Sequence, residues 1–433
     1  MMDIQPDHPH GDALPLNQVL VEALKSKGFI HTRSVEDAFR SVLRHTFLPS
    51  EPLAKVYADQ SIAIKVGGRD GTLSSSSQPT IMAIMLEQLG LEPGHTVLEI
   101  GAGSGYNAAL MAHIVGETGQ VITIDIDQDL ADAARKHLAA AGTHRVQVVC
   151  VDGGYGYVGA APYDRIILTV GAWDIAPAWW EQLGPGGRLV LPLSLPGGQK
   201  SIAFEREGEH LSSLSVRDCG FVRLRGAFAD PHPGCTVQLG PDPGLEVWCG
   251  PQVSLGAEKA YGWLTGARVD WETNVAVAVS EVIGGLEMWL ALREPTMGRL
   301  VAWDELIAHD VIPPLYGLGQ ARKVVFSSAL FGEDGLAALM RPPGQSAPLV
   351  DYSELFAAGP SFPLFVRQFG ADEALARRLV DHIRAWDGAG RPSTGGLRVR
   401  AYRREAAWVP LSEGDIVIEK RWTRFVLDWP STS

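Results

Sequence analysis

The fold is decided by the stretch Val97-Leu98-Glu99-Ile100-Gly101-Ala102-Gly103-Ser104-Gly105-Tyr106. An apolar run with β-branched members breaks into three alternating glycines, and a helix-forming run follows over 107–115. This order is typical of a strand whose carboxyl end enters a tight turn at a helix N-terminus, where glycine lets the backbone approach a ligand closely. Because the strand is apolar almost throughout, it indicates a parallel sheet covered by helices on both faces.

Strand and helix patterns alternate regularly around this turn. The pattern predicts helices over 107–115, 129–141 and 177–183, and strands over 96–100, 121–125, 146–151, 165–170 and 188–193. Two further strands, over 202–205 and 212–217, are expected as antiparallel additions at one edge. Alternation at this spacing indicates βαβ units in a mainly parallel sheet. The prediction is an α/β fold of the Rossmann-like type.

Length, charge and cysteine spacing exclude several classes of protein. The 433 residues are too many for one ordinary domain, so two are expected. A net charge of −13 offers no basic stripe for phosphates, which argues against nucleic-acid binding. No run approaches about 18 apolar residues, so we expect no membrane segment and a cytoplasmic protein. The four cysteines lack C-x-x-C spacing, which indicates neither a zinc site nor a disulfide framework.

A proline- and glycine-rich stretch between Asp230 and Gly250 marks the expected domain boundary. We therefore predict a first domain over 1–228 and a C-terminal α+β domain over 229–433. An amphipathic helix over 372–387, capped by Asp372, and strands over 397–402 and 422–429 are expected there. Nine of the twelve tryptophans lie in this half. Tryptophan is usually a core residue, but some of these could line a surface that grips a peptide.

The glycine turn fits a nucleoside better than a dinucleotide. The dinucleotide fingerprint would place its third glycine at Tyr106, whereas here the third glycine is Gly105. Asp125 ends the next strand, 20 residues after Gly105, where a carboxylate accepts hydrogen bonds from ribose hydroxyls. Asp152 ends the third strand and could face the adenine amino group, although each acid alone could be a turn or cap residue. Together these positions favour S-adenosylmethionine and methyl transfer over hydride transfer.

The predicted cofactor-binding residues follow from this interpretation. They lie at the ends of the first three strands and in the glycine turn, and they are Glu99, Gly101, Gly103, Gly105, Asn107, Asp125, Ile126, Asp152 and Gly153. The acidic run over 125–129 also suggests a calcium loop, but its sixth position is Leu130 and its twelfth is Lys136. A strand end followed by a helix cap explains the run better. No metal site is predicted.

Six segments together resemble the protein-L-isoaspartate O-methyltransferase family. The resemblance covers residues 15–225, in order and with the family's spacing, and its segments are Phe47-Leu48-Pro49, Tyr57-Ala58-Asp59-Gln60, Ser75-Ser76-Ser77-Gln78-Pro79, Val97 to Asn107, Ala161 to Ile167 and Leu183 to Pro192. The glycine turn is common to many methyltransferases, whereas the Ser-x-Ser-Gln-Pro element is much more specific. The resemblance implies a Rossmann-like S-adenosylmethionine-dependent methyltransferase over 1–228.

The resemblance also implies an acceptor site. A serine matching Ser77 lies beside the reacting carboxyl group in the family, and residues matching Ser75–Pro79 form a lip over the methyl donor. We therefore name Ser77 and Ser75 as candidate catalytic residues and Ser76, Gln78 and Pro79 as the substrate lip. The family usually has an aliphatic residue where this chain has Ser76, which could change the peptide that the lip admits. The alternative for four successive serines is a flexible linker.

The implied chemistry needs neither a general base nor a metal. A carboxylate is already ionised at neutral pH and the sulfonium methyl group is an activated electrophile. Holding oxygen, methyl carbon and sulfur in line can supply about 7–11 kcal/mol. Hydroxyl groups suit the acceptor better than a cation, which would over-stabilise the ground state. The methyl ester is a good leaving group, so the neighbouring backbone nitrogen can close a succinimide (aspartimide) ring.

Three functional hypotheses remain open from the sequence. The long C-terminal half resembles family members that accompany the biosynthesis of ribosomally made, modified peptides, which implies methylation of an aspartate in a constrained peptide. The second hypothesis is repair of isoaspartate in damaged proteins. The third is a non-enzymatic protein that binds a nucleoside. The expected partner is a peptide or protein that carries aspartate or isoaspartate, and no oligomeric state is predicted.

Overall fold

The computed structural model describes residues 12–67, 71–241, 244–250, 253, 255–303, 312–313, 315–318, 324–350, 359–406 and 409–430. The chain forms two compact units. The first comprises residues 1–195, 199–230 and 398–428, and the second comprises 196–198, 231–397 and 429–433. Of the nine tryptophans noted above, Trp408 lies outside the described residues.

In the first unit the helices and strands agree closely with the predicted alternation. The helices of both units, in chain order, are α1 (Ala13–Ser26), α2 (Arg33–Ser41), α3 (Leu53–Val56), α4 (Pro79–Leu89), α5 (Tyr106–Val115), α6 (Gln128–Ala140), α7 (Pro177–Gln182), α8 (Ala257–Leu264), α9 (Val279–Glu281), α10 (Glu287–Ala291) and α11 (Glu373–Gly388). The strands before the second unit are β1 (Ile62–Gly67), β2 (Gly71–Ser76), β3 (Thr96–Ile100), β4 (Gln120–Asp125), β5 (Val146–Cys150), β6 (Tyr163–Leu168), β7 (Leu183–Leu195), β8 (Gly198–Glu207) and β9 (His210–Asp218).

The remaining strands belong to the second half of the chain. They are β10 (Cys235–Gln238), β11 (Leu245–Cys249), β12 (Arg268–Val277), β13 (Met297–Trp303), β14 (Tyr316–Leu318), β15 (Val324–Phe331), β16 (Gly335–Met340), β17 (Leu349–Val350), β18 (Phe362–Gly370), β19 (Arg398–Arg403), β20 (Ile416–Glu419) and β21 (Thr423–Asp428). A π-helical turn over Val282–Leu286 joins α9 to α10.

The first unit is built on a ten-stranded sheet with the order β20-β21-β19-β9-β8-β7-β6-β3-β4-β5. Strands β3 to β7 pair in parallel, and β3 lies between β4 and β6. The chain runs outward from β3 through β4 to β5, then crosses to β6 on the other side. Ligands of such sheets bind beyond the carboxyl ends of the strands at this switch point. The Rossmann-like prediction is confirmed, and the glycine turn lies at that point.

The serine run is part of an antiparallel hairpin and does not form a linker. The sequence predicts an irregular segment over 57–72, but β1 pairs with β2 so that Ile62 faces Ser76 and Ala63 faces Ser75. Ile62 is buried, which anchors the first strand at the end nearest the serines. Pro79 follows at the first position of α4, where proline's missing N–H and fixed φ are well tolerated. The serines are therefore held by a strand on one side and by a helix on the other.

The C-terminal strands differ from the predicted domain division. The sequence assigns all of 229–433 to a second domain, whereas residues 398–428 lie in the first unit. Strand β19 pairs with the edge of β9, with Ala401 opposite Leu211, and β21 and β20 extend the sheet further. An open sheet edge readily takes another strand. A local pattern predicts the strands but carries no information about their partner.

The turn between β20 and β21 is fixed to the first unit by polar contacts. The Asp174 carboxylate accepts the Trp422 backbone N–H at 2.8 Å. The Lys420 ammonium donates to the carbonyls of Trp173 and Ser194. Asp174 is buried, and this burial raises the pKa of its carboxyl group. The C-terminal segment is thus an integral part of the sheet.

The second unit is an antiparallel sheet with helices, which confirms a C-terminal α+β unit. Its main path is β10-β11-β13-β15-β16-β18-β12, and β14 and β17 lie off that path. Helix α11 begins as predicted, because the Asp372 carboxylate accepts the Leu375 N–H at 3.0 Å. Its inner face is buried in one core with Trp289, whereas Leu264 of α8 belongs to another. Cys249 is disulfide-bonded, contrary to the expectation from cysteine spacing.

No helix among the described residues is long and apolar enough to cross a membrane. Within the same residues, no group of three or more His, Cys, Asp or Glu side chains is arranged to hold a metal ion.

Candidate donor and acceptor site

The glycine turn forms the floor of a cleft at the carboxyl end of β3. Gly101 has a φ of +105°, and a Cβ atom there would lie 2.6 Å from Oγ1 of Thr169. Gly103 has a φ of +52° and lines the cleft, with Ser74 and Ser75 as its nearest neighbours across it together with Ile64. Gly105 also has a positive φ, of +87°, but packs against Ala134 of α6 and does not line the cleft.

Asp125 lies at the end of β4 with its carboxylate against the glycine turn. One oxygen, Oδ2, accepts the Gly103 N–H at 3.0 Å, and Oδ1 accepts the Asp127 N–H at 3.1 Å. The side chain is 7% exposed and lines the cleft. Burial raises the pKa of the Asp125 carboxyl, and the two backbone hydrogen bonds oppose that shift. Each oxygen keeps a second lone pair, so the carboxylate can still accept two ligand hydroxyls.

Glu99 and Asn107 form a buried pair deeper in the site. Oε1 of Glu99 accepts the Asn107 amide at 2.8 Å, and Oε2 accepts the Thr123 hydroxyl at 2.5 Å. Glu99 is completely buried, which raises the pKa of its carboxyl group to about 7. Both Glu99 and Asn107 line an inner part of the cleft. Strand β3 therefore presents an oriented carboxylate there, and the first turn of α5 presents the amide that pairs with it.

The residues that follow β4 and β5 are divided between the cleft wall and a backbone contact. Gly153 and Ile126 line the cleft. Asp152 instead uses both carboxylate oxygens on the protein backbone, accepting the Gly154 N–H at 2.9 Å and the Ala227 N–H at 2.7 Å. Asp152 thus ties the segment after β9 to the strand ends, and its oxygens retain lone pairs for a ligand donor.

The opposite wall is formed by the end of β2 together with Ser77, residues 74–77, which we call the serine strand. Ser74 and Ser75 line the outer part of the cleft, and Ser75, Ser76 and Ser77 line its inner part. The Ser76 hydroxyl accepts a hydrogen bond from the buried Arg44 at 3.4 Å. Gln78 is half-buried and stands immediately before α4. The structure thus brings most of the predicted site residues into one cleft. Those that line it are Ser75, Ser76, Ser77, Glu99, Gly101, Gly103, Asn107, Asp125, Ile126 and Gly153. Four predicted residues lie outside the lining, and they are Gly105, Asp152, Gln78 and Pro79.

An ionic cluster lies beside the outer part of the cleft, which its member Arg225 lines, and it was not predicted from the sequence. Asp127 accepts from Lys65 of β1 at 2.9 Å and from Arg225, on the segment after β9, at 2.6 Å. Hydrogen bonding to Arg225 and then to Lys65 holds the pKa of the Asp127 carboxyl below its ordinary value. These contacts join the hairpin and the 221–228 segment across the loop that follows Asp125. No local pattern marks partners so distant in sequence.

Two further site residues were also missed. Thr169 follows β6, lines the cleft and donates to the Gly101 carbonyl at 2.7 Å, which fixes the first residue of the turn. Arg44 lies behind the serine strand and is fully buried. Its signal in the sequence is an arginine among apolar residues, three positions before Phe47. A buried charge at such a position needs several polar partners.

The fold and the site together define an S-adenosylmethionine-dependent methyltransferase. The family model of protein-L-isoaspartate(D-aspartate) O-methyltransferase (PCMT) matches residues 16–228. The protein-L-isoaspartate O-methyltransferase of Methanopyrus kandleri is 42% identical over 217 residues, which cover 49% of this chain and 93% of that protein. The chain belongs to the protein-L-isoaspartate O-methyltransferase family.

Two solved structures are also similar to the chain. One, described as protein-L-isoaspartate O-methyltransferase, has a TM-score of 0.47 and 22% identity, and covers 89% of this chain and 96% of its own. The other is a Plasmodium falciparum protein described as a putative protein-L-isoaspartate O-methyltransferase in complex with S-adenosyl-L-homocysteine. Its TM-score is 0.43 at 20% identity, covering 48% of this chain and 98% of its own.

Proposed function

We propose that the protein transfers a methyl group from S-adenosylmethionine to the carboxylate of an isoaspartyl residue in a peptide or protein. The observation that carries this proposal is one cleft with two unlike walls. The Asp125 carboxylate and the glycine turn form one wall, and the serine strand forms the other. The first wall suits a nucleoside, and the second offers hydroxyl groups to a carboxylate. Family membership supports the same acceptor class.

On the donor side, we assign the ribose hydroxyls to the free lone pairs of Asp125. Ile126 and Gly153, which line the same part of the cleft, would contact the adenine ring. Glu99 and Asn107 would hold the amino-acid end of the donor in the inner part, where their mutual hydrogen bond fixes their orientation. Asp152 would act mainly by holding the wall in place, because both its oxygens already accept backbone N–H groups.

On the acceptor side, Ser77 would orient the carboxylate with its hydroxyl group, and Ser75, near the end of β2, would support it from the same inner part of the cleft. The bound donor supplies a methyl group that the carboxylate oxygen takes while the carbon–sulfur electron pair stays on sulfur. No proton moves, so the residues need only orient the acceptor and exclude water. Ser76 would act indirectly, because its hydroxyl turns toward Arg44.

A second candidate acceptor is a normal aspartate in a constrained, modified peptide. Two features favour it: Ser76 replaces the aliphatic residue usual in the family, and residues 231–397 form a separate unit. We propose that this second unit binds the peptide. The methyl ester would then close to an aspartimide.

The proposal is tested with a linear isoaspartyl peptide and its aspartyl counterpart of identical sequence. Each is incubated with the protein and S-adenosylmethionine, and mass spectrometry follows the gain of one methyl group. We expect methylation of the isoaspartyl peptide that depends on the donor and is lost on mild base treatment. A protein that binds S-adenosylhomocysteine yet methylates neither the isoaspartyl peptide nor constrained aspartyl peptides would contradict both candidates.

A further inference from the structure

A single buried guanidinium group lies behind the serine strand. Arg44 is 0% exposed and precedes Phe47 in the turn after α2. The hydrogen bonds that this side chain donates to described residues go to carbonyl and hydroxyl oxygens, which is unusual for a buried charge. Burial lowers the pKa of the Arg44 guanidinium, and the nearby Tyr106 hydroxyl and then the Asp59 carboxylate oppose that shift. The charge is therefore stabilised by neutral groups.

Those groups are backbone carbonyls from two separate segments. At the end of α3 and just after it, Nη1 donates to the carbonyl of Val56 at 2.8 Å and to that of Ala58 at 3.4 Å, and Nη2 donates to that of Gln60 at 3.3 Å. Hydrogen bonds from a charged donor contribute about 1.5–3 kcal/mol each, so the set opposes a large desolvation cost. Arg44 thereby fixes the chain that leads into β1.

The other segment is the serine strand itself. Nη2 of Arg44 donates to the Ser77 carbonyl at 2.9 Å, and to the carbonyl and hydroxyl of Ser76 at 3.4 Å each. A planar guanidinium holds several acceptors in a fixed arrangement, which an ammonium group cannot reproduce. Because the Ser77 carbonyl is fixed, the direction of the Ser77 side chain is restricted as well. The Ser76 hydroxyl adds a contact that an aliphatic side chain could not make.

We propose that Arg44 is a positioning residue for acceptor methylation, which sets the direction of the Ser77 hydroxyl by holding the Ser76 and Ser77 carbonyls. The role rests on the proposed function of Ser77. It is distinct from a role in donor binding, because Arg44 does not line the cleft on either side. It acts through the carbonyls of its neighbours and through the Ser76 hydroxyl.

Arg165 provides a matched control. It is also an arginine that is more than half buried, and it donates to the carbonyls of Leu89 at 2.8 Å and Gly90 at 3.2 Å. Burial lowers the pKa of this guanidinium too. Arg165 pairs with Val97 near the start of β3, away from the carboxyl end that carries the cleft. A purely structural effect of losing a buried guanidinium should therefore appear in both Arg44→Lys and Arg165→Lys.

The test compares wild type, Arg44→Lys and Arg165→Lys in the full-length chain. For Arg44→Lys we expect kcat on the isoaspartyl peptide to fall roughly 10- to 100-fold, since a small misplacement of a positioning group has that effect. The affinity for S-adenosylhomocysteine should change by less than about threefold. In the double variant Arg44→Lys/Ser77→Ala the losses should not multiply, because both changes remove the same oriented hydroxyl.

Unchanged kcat in Arg44→Lys, equal losses in Arg165→Lys, or fully multiplicative losses in the double variant would each overturn the proposal. Hydrogen exchange gives a readout that does not depend on methylation. Arg44→Lys should speed exchange of the backbone amides over 74–78, and Arg165→Lys should not; equal exchange in both would also overturn it. If wild type methylates no acceptor but the exchange result holds, the proposed function fails while the Arg44 contact to the serine strand stands.

Discussion

The Asp125 carboxylate accepts the Gly103 backbone N–H at 3.0 Å, so the end of β4 and the glycine turn after β3 are held as one unit. The bond holds the carboxylate against the backbone of the turn, and both Asp125 and Gly103 line the cleft. The middle glycine also has a positive φ, a conformation that residues with a side chain rarely adopt. Donor affinity should therefore depend on this contact.

Asp125→Ala should weaken binding of S-adenosylhomocysteine by about 10- to 100-fold, because it removes hydrogen bonds to a charged acceptor. Isothermal titration calorimetry measures the change. Asp132→Asn is the matched control, because Asp132 is an exposed acid on α6 whose contacts are with Gln128 and Arg135. Equal affinities of Asp125→Ala and wild type would remove Asp125 from the donor site.

Ser77→Ala should leave donor affinity unchanged and slow methylation by roughly 10- to 100-fold, the value of one hydrogen bond to a charged group. Steady-state kinetics with the isoaspartyl peptide provides the measurement. Thr72→Ala, an exposed change on β2, the strand that ends just before Ser77, serves as the control and should keep wild-type kinetics. If the Ser77 variant is as fast as wild type, its hydroxyl does not orient the acceptor.

The buried Glu99 should make the stability of the first unit depend on pH. Its pKa is raised to about 7 in the folded chain from an ordinary value of 4.5, because burial disfavours the charged form. The folded state therefore binds the proton more tightly than the unfolded state does. The contribution of this proton to the free energy of unfolding is fully present below pH 4.5 and is lost as the pH rises through about 7. The loss is of order 3 kcal/mol.

Glu99→Gln removes this titration while keeping a side chain that can pair with Asn107 and Thr123. As the pH rises from about 5 to about 8, the free energy of unfolding of the variant should increase relative to that of wild type. Scanning calorimetry follows the change, because it can separate the transitions of the two units. A constant difference between variant and wild type across that range would show that Glu99 does not titrate there.

The cluster of Lys65, Asp127 and Arg225 should help to retain the donor. Asp127→Asn removes both ionic partners, and partly exposed pairs contribute about 0.2–1 kcal/mol each, so donor affinity should fall roughly two- to fivefold. The difference from wild type should shrink in about 1 M salt, where charges are screened. Asp132→Asn again serves as the control. A loss that persists unchanged at high salt would indicate a cause other than charge.

The C-terminal strands should be required for a stable first unit. A shortened chain ending at residue 230 would leave the edge of β9 unpaired, and exposed sheet edges promote aggregation. A chain in which a flexible linker replaces residues 231–397, so that β19–β21 are retained, should be more soluble and more thermally stable. Equal behaviour of the two shortened chains would show that β19–β21 add nothing to the first unit.

Local patterns predicted the part of the site that is local in sequence. The apolar run of β3, the glycines after it and Asp125 at the next strand end were all visible, because strand period and turn chemistry are encoded by neighbouring residues. The hairpin that carries the serines was missed, since the glycines around residue 67 suggested an irregular segment and its register is broken between Ala63 and Val66. Irregular pairing leaves no clear alternation to detect.

Contacts between distant residues could not be predicted in this way. Arg225 meets Asp127 across 98 positions, and Trp422 meets Asp174 across 248. A strand pattern over 397–402 was recognised, but its pairing with β9 depends on which sheet edge is open in the folded chain. Arg44 showed only as a charge among apolar residues, and its carbonyl partners became visible when the two segments were brought together.

The most direct test of the central claim is a competition for one methyl donor. A linear isoaspartyl peptide, its aspartyl counterpart and a macrocyclic peptide with a single aspartate are mixed at equal concentration with the protein and S-adenosylmethionine. The account predicts that the linear isoaspartyl peptide gains a methyl group first and that Ser77→Ala slows this reaction. Rapid methylation of the macrocycle, with the isoaspartyl peptide unmodified, would contradict it.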